Sequence, residues 1–234
     1  MINNIPVITI DGPSGTGKGT ISRLVAQELG FHYLDSGALY RLLGLAARNH
    51  SIPLDDEAAL VTLAGHLDIQ FGFDNERQKT DIFLGGERVT DLVRSESRGK
   101  DASVVAALPS VRQALMDRQH AFLESPGLVA DGRDMGTVIF PEATLKVFLT
   151  ASLNERAKRR HKQLKGKEND VILEDLEELL SVRDARDSQR EVAPLLPADD
   201  AIQIDTTELD IHHVFKRVMS LWVNCYMKKD AKAV

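Results

Sequence analysis

Short apolar runs alternate along this chain with longer stretches in which apolar residues recur every three or four positions. Pro6-Val-Ile-Thr-Ile10 is a β-branched run closed by Asp11-Gly12, which predicts a buried strand. From Gly17 to Leu29 the apolar positions are Ile21, Leu24, Val25 and Leu29, a helical period that Gly30 can cap. Phe31-His-Tyr-Leu34 predicts a second strand ending at Asp35, and Leu39, Leu42, Leu43 and Ala46 mark the helix after it. Asp55 or Asp56 can open a further helix reaching about His66.

The period then drops to two. Leu67, Ile69, Phe71 and Phe73 alternate with Asp68, Gln70 and Gly72, and Thr80, Ile82 and Leu84 repeat the pattern before Gly85-Gly86, a two-residue hairpin signal. This is antiparallel chemistry, and it predicts a small inserted lobe over residues 66–104. Beyond it, Ser110 is expected to cap a helix carrying Val111, Leu115, Phe122 and Leu123. Three more apolar runs follow, Leu128-Val-Ala130, Leu145-Lys-Val-Phe-Leu149 and Ala201-Ile-Gln-Ile204, each with helical pattern after it. Ser152-Leu-Asn-Glu155 reads as a capping box. Asp210 opens a last helix with a core stripe of Ile211, Val214, Phe215, Val218 and Trp222, and the end after Met227 reads as a frayed tail. Five buried strands separated by helices predict an α/β fold, a parallel sheet covered on both faces.

Composition narrows the picture. With 234 residues, 43% of them hydrophobic, the chain can bury one large domain or a domain with an inserted lobe. Its formal net charge of −6 argues against a nucleic-acid partner, which wants the opposite balance, but leaves room for a small anion held by local arginines. The single cysteine, Cys225, excludes an internal disulfide, fits a reducing compartment and falls at a packing position. No segment approaches a membrane-spanning length and the N-terminus has no signal-like run, so the expected location is the cytoplasm.

The chemistry enters between the first strand and the first helix. Gly12, Pro13, Ser14, Gly15, Thr16, Gly17 and Lys18, followed by Gly19 and Thr20, have the spacing and the strand-to-helix setting of a P-loop. Successive amides in such a turn point into one concavity, and the helix N-terminus adds positive potential, so the loop can cradle the phosphates of ATP. Lys18 can reach the β- and γ-phosphates and offset charge during transfer. Many P-loops place a hydroxyl residue directly after the lysine as a magnesium ligand. Here that position is Gly19 and Thr20 comes one later, an ending like that of nucleotide kinases. The Asn-Lys-x-Asp segment of a GTPase is absent.

Ligands of open parallel sheets bind beyond the carboxyl ends of the strands. Ser36 and Arg41, after the second strand, supply a hydroxyl and a planar guanidinium for an acceptor phosphate. Asp131 follows an apolar run at a strand tip, the place of an acid that orders magnesium directly or through water. Arg183, Asp187 and Arg190 are spaced to share one helical face, which reads either as a solvated ion pair or as a polar face reaching into a cleft.

Together these segments resemble the bacterial cytidylate kinases. The phosphate loop, Asp35-Ser-Gly-Ala-Leu-Tyr-Arg41, Ala130-Asp-Gly-Arg-Asp-Met-Gly-Thr137, Arg183-Asp-Ala-Arg-Asp187 with Arg190, and Ala193-Pro-Leu all fall in family order, from about Ile5 to the last helix. The resemblance implies phosphorylation of CMP or dCMP by ATP with magnesium, in a cytoplasmic monomer. It implies one domain over residues 1–234, with a core of 1–35, 105–150 and 195–234, an acceptor lobe of 36–104, and a lid with its adjoining helix over 152–192. Ser36, Arg41 and Arg133 are then expected at the acceptor phosphate or ribose, with Tyr40 in the same segment. Ser103, Arg112, Asp134, Asp187 and Arg190 are expected at cytosine and sugar, and Arg183 at the transferring phosphates. Arg156 and Arg160 are expected to close a lid over ATP. Lys18, Arg133 and Arg183 are the expected catalytic charges, and Thr20 and Asp131 the expected magnesium residues. Arg94-Ser-Glu-Ser-Arg-Gly-Lys100 is more charged than the family pattern and carries an interior Gly99. Two other readings fit the loop: a small-molecule kinase of the same architecture acting on another acceptor, and a non-catalytic ATP sensor.

Overall fold

The computed structural model describes residues 5–74, 79–164 and 172–230. In chain order its elements begin with β1 (Val7–Asp11), α1 (Lys18–Leu29), β2 (His32–Asp35), α2 (Ser36–Asn49) and α3 (Glu57–His66). Next come β3 (Ile69–Asp74), β4 (Lys79–Leu84), β5 (Glu87–Arg88), α4 (Thr90–Val93), α5 (Glu96–Val105) and α6 (Pro109–His120). The rest are β6 (Leu128–Gly132), a π-helical turn (Met135–Ile139), β7 (Leu145–Thr150), α7 (Leu153–Leu164), α8 (Leu173–Ser188), β8 (Ile202–Asp205) and α9 (Ile211–Asp230). The chain divides into two compact units, residues 1–35 with 119–234, and residues 36–118.

The first unit is built on a five-stranded parallel sheet in the order β2-β6-β1-β7-β8. Ile8 and Ile10 of the central strand share one face with Val129, Val147 and Leu149, and this face packs on Ile21 and Val25 of α1 and Val214, Val218 and Trp222 of α9. Removing such side chains from water is worth about 1.5–3 kcal/mol each, which is what holds α1 at a fixed angle to the sheet. The opposite face of β1 presents Thr9 and Asp11 to the π-helical turn. Parallel pairing brings the strand ends to one edge: Asp35 pairs with Asp131, and Asp11 with Gly132.

The second unit contains the antiparallel sheet β3-β4-β5, turned at Gly85 and Gly86, whose φ values of 58° and 79° suit glycine. Helices α4 and α5 fill out the segment read from its alternation as a small sheet lobe. The unit runs to Arg118, past the expected boundary at residue 104, because Val111 and Leu115 of α6 pack with Leu43, Leu60 and Val105.

Several local expectations are corrected. Helix α6 starts at Pro109, whose ring presets a helical φ, and the Ser110 amide donates to Glu57 Oε1 at 2.8 Å, so Ser110 is not its cap. The helix ends at His120, leaving Phe122 and Leu123 in a turn. A π-helical turn follows β6 where a regular helix was expected. Ser152 Oγ accepts from the Glu155 amide at 3.3 Å, but Glu155 pairs with Arg159, so only half of the capping box forms. Ile211, in the first turn of α9, is 54% exposed and is no core residue. Helix α9 continues through Asp230, beyond the expected end of order at Met227. Residues 165–171, within the expected lid, and 231–234 lie outside the described residues.

Candidate active site

The phosphate loop joins the tip of β1 to α1. Gly12 has φ 141°, and a Cβ there would collide with the Leu149 carbonyl oxygen, so only glycine passes this point. Within the loop, Lys18 Nζ donates to the Pro13 carbonyl at 2.9 Å and Thr16 Oγ1 to the same oxygen at 3.1 Å. The amides of Thr20 and Ile21 donate to the Gly17 carbonyl at 3.1 Å, which sets the first turn of α1. Arg156 backs the loop. It is buried, donates to the Ser14 and Ala151 carbonyls, and pairs with Asp184 of α8 at 2.6 Å. Arg160, one turn on, donates to Gln163 at 3.2 Å. Of the two arginines expected over ATP, Arg156 is thus the one tied to the loop's own main chain.

Lys18 is 6% exposed. Burial, with the Arg133 charge added, pushes its amine down from 10.5 to about 7, against the pull of Asp131. Asp131 is also 6% exposed, and burial together with the Asp35 charge raises its carboxyl from 3.8 to about 7. Lys18 and the Tyr33 hydroxyl, which donates to Asp131 Oδ2 at 2.6 Å, oppose that rise. Gly19 explains itself at this point: a Cβ on it would lie 3.4 Å from Asp131 Oδ2 and 3.6 Å from the Tyr33 hydroxyl. A longer side chain would press on that pair.

Arg133, just past β6, pairs through Nε with Asp187 Oδ2 at 2.9 Å, and Arg183 approaches the same oxygen at 4.0 Å. Burial works against ionisation of Asp187, but Arg133 and Arg183 outweigh it and hold its carboxyl below the usual range. Arg190 does not continue the helical face expected of it, because α8 ends at Ser188. The chain turns back there: the Leu195 amide donates to the Asp187 carbonyl and Arg190 Nη2 to that of Ala193, at 2.8 and 2.6 Å. Asp134 is buried and precedes the π-helical turn. Lys18, Asp131, Arg133, Arg183 and Asp187 thus form one mutually responsive set of charges at the carboxyl edge of the sheet.

The second unit carries the other expected residues. Ser36 is buried at the start of α2, and Tyr40 lies one turn along, with the Arg112 guanidinium 5.8 Å from its ring centre. Arg112 Nη1 donates to the Ala106 carbonyl at 3.2 Å and Arg41 Nη1 to that of Val93 at 3.1 Å. Ser103 is buried on α5. The charged segment before it is helical from Glu96 on, with Arg98 on Asp101 at 2.7 Å and Arg48 on the same carboxylate at 2.9 Å.

Two residues escaped the sequence reading. Asp11 accepts the Met135 and Gly136 amides at 3.0 and 2.8 Å, and burial raises its carboxyl to about 6. The signal was available, since Val7-Ile-Thr-Ile-Asp11 is an apolar run ending in an acid, like the run before Asp131. Tyr33 gave no such signal. Its partner is 98 residues away.

A model of the family described as cytidylate kinase matches residues 8–224. The chain belongs to the cytidylate kinase family. A cytidylate kinase of Stutzerimonas stutzeri (strain A1501) is 60% identical over 220 residues, covering 94% of this chain and 96% of its own. One of Azotobacter vinelandii (strain DJ / ATCC BAA-1303) is 61% identical over 214 residues, covering 92% and 93%. The solved shikimate kinase from Bacteroides thetaiotaomicron covers 93% of this chain and 98% of its own at 15% identity and a TM-score of 0.42, a likeness too slight to add to the sheet order itself. Among the described residues no helix is long and apolar enough to cross a membrane, and no three His, Cys, Asp or Glu side chains gather to cage a metal ion.

Proposed function

We propose that this member of the cytidylate kinase family transfers the γ-phosphoryl group of ATP to CMP, and to dCMP, giving CDP or dCDP and ADP. The observation that carries the reading is the buried charge set around Lys18 in a chain of this family. A lysine held near pH 7 by burial takes up a proton readily when a polyanion arrives, so its charge develops where the phosphates need it.

The acceptor is itself a phosphate oxygen and already a nucleophile, so no general base is required and the protein supplies positioning and neutralisation. The amides from Gly12 to Thr20 hold the donor phosphates, and Lys18 and Arg183 offset charge on the group in transfer. In the parallel-sheet unit, Arg133 receives the acceptor phosphate, while Asp134, Asp187 and Arg190 read sugar and base. In the second unit, Ser36 and Arg41 serve the phosphate, Tyr40 stiffens Arg112, and Arg112 and Ser103 read cytosine. Cytosine offers an exocyclic amine where uracil offers a carbonyl, so an acceptor such as Asp187 or a serine hydroxyl rejects uracil by leaving a buried polar group unpaired. Arg160 reaches ATP from α7.

Magnesium fits the oxygen groups present. Asp35 and Asp131 are paired across two strand ends and repel one another, which a divalent cation relieves. Such an ion keeps most of its waters and binds one or two carboxylates plus substrate phosphates. Asp131 and Thr20 would hold it through water, and when bound it neutralises phosphate charge. The single cysteine and the short apolar segments suit the cytoplasm, and the likeness to the cytidylate kinases suggests a monomer.

Phosphorus NMR of the protein with ATP, magnesium and CMP tests the reading. CDP and ADP are expected in equal amounts. ADP and inorganic phosphate with CMP untouched, or no change at all, would contradict it.

A further inference from the structure

Asp11 stands outside the roles assigned above, yet its placement is demanding. It is 5% exposed at the end of the central strand, a position where an apolar side chain would cost nothing to bury. Its two oxygens accept from consecutive main-chain amides 124 and 125 residues away, Met135 at 3.0 Å and Gly136 at 2.8 Å. Those amides open the π-helical turn, and Asp134, at the capping position, gives that turn no side-chain cap. Asp11 therefore caps it from another strand. The fit is close on both sides: a Cβ on Gly136 would lie 2.8 Å from Thr9 Oγ1, and one on Gly132 2.9 Å from Met135 Cγ.

What this turn carries decides the matter. Arg133 and Asp134 lie between Gly132, in register with Asp11, and the two amides that Asp11 holds. Asp11 also immediately precedes Gly12, where the phosphate loop begins. One residue thus belongs by its main chain to the donor loop and by its side chain to the acceptor turn. We propose that Asp11 is a positioning residue for the acceptor: its carboxylate clamps the turn that aims Arg133 and Asp134, and it acts through Arg133. This rests on the kinase reading given above. Burial holds the carboxyl near 6, Asp134 pushing it up and Lys18 pulling it down, so at neutral pH both oxygens are available to the amides.

Asp11→Asn tests it. The amide can accept one N–H but turns its own NH2 toward the other. Losing one buried, charge-assisted bond is expected to lower kcat/KM for CMP about 10- to 100-fold, with KM for ATP moved by no more than about twofold. In an Arg133→Ala background the same substitution is expected to cost less than about twofold, because the two act as one unit. A full-sized effect in that background, or an equal rise in KM for ATP, overturns the proposal. A second measurement reads the two amides directly and leaves Asp11 in place. In isotope-labelled native protein the Met135 and Gly136 amide resonances should move together as the pH crosses about 6, and should still do so in Lys18→Met. A titration that moves one of the two amides and leaves the other fixed sinks the idea, because the two oxygens of one carboxylate hold both. Absence of CMP turnover in the native protein would overturn the kinase reading alone, since the amide titration stands apart from it.

Discussion

The tips of β1 and β6 lie side by side and each carries a buried aspartate, the last residue of β1 and the last but one of β6, but the two acids are answered in opposite ways. Asp11 gives both oxygens to main-chain amides, which cannot leave without unfolding a turn. Asp131 faces a phenol, an amine and another carboxylate, all of them side chains that a ligand can rearrange or neutralise. Burial raises both carboxyls, to about 6 and about 7. The difference teaches that a shifted pKa does not by itself name a role. What the oxygens touch does: an acid committed to backbone fixes shape, and one among movable charges is available to chemistry.

The largest test acts on the lysine that pulls the Asp131 carboxyl down. Lys18→Met should lower turnover about 10²- to 10³-fold, the usual cost of removing a transition-state charge. It should also raise the melting temperature at pH 7. The sign follows from linkage: the folded amine has its pKa lowered to about 7, so the folded state binds protons less well than the unfolded one between about 7 and 10.5, and stability rises with pH across that window. At pH 7 the buried amine is a burden that methionine removes. A lower melting temperature would show that Lys18 holds the loop together.

Asparagine at each tip separates the two acids next. A folded pKa raised to about 7 means that stability from Asp131 is present below about 3.8 and lost as pH rises to about 7. Asp131→Asn should therefore melt higher than the native protein at pH 8, with the gain fading toward pH 4. Asp11→Asn carries a smaller desolvation benefit, since that carboxyl is raised only to about 6, and strands a buried amide donor at about 1–3 kcal/mol, so it should melt lower. Shifts of the same sign in thermal scans of the two variants would erase the distinction.

The smallest effect belongs to Tyr33. Its hydroxyl favours the ionised Asp131, so Tyr33→Phe should raise that carboxyl further and move the acid limb of kcat/KM to higher pH. Turnover at pH 6 should fall by less than about tenfold, while the alkaline plateau is kept. An unchanged acid limb would mean that the phenol only fills space.

Much of this was legible along the chain. Apolar runs marked all five parallel strands, alternation marked β3 and β4, and the spacing from Gly12 to Lys18 announced a phosphate loop before any fold was known. Family order then named the residues at Asp35, Asp131 and Arg183. What escaped depends on contacts between distant segments. Nothing near Tyr33 foretells Asp131, and nothing near Asp11 foretells the π-helical turn. Arg190 looked helical because a spacing of three and four ignores where a helix stops, and here the chain reverses at Ala193, whose φ is 52°. Ser110 looked like a cap because sequence alone does not show that Pro109 begins the helix or that Glu57 receives the amide.

The most direct test of the account is ADP release by the native protein, with ATP and magnesium, across a panel of CMP, dCMP, UMP, AMP, shikimate and gluconate. CMP and dCMP should be turned over far faster than every other acceptor. Fast turnover on AMP, shikimate or gluconate with none on CMP would contradict it.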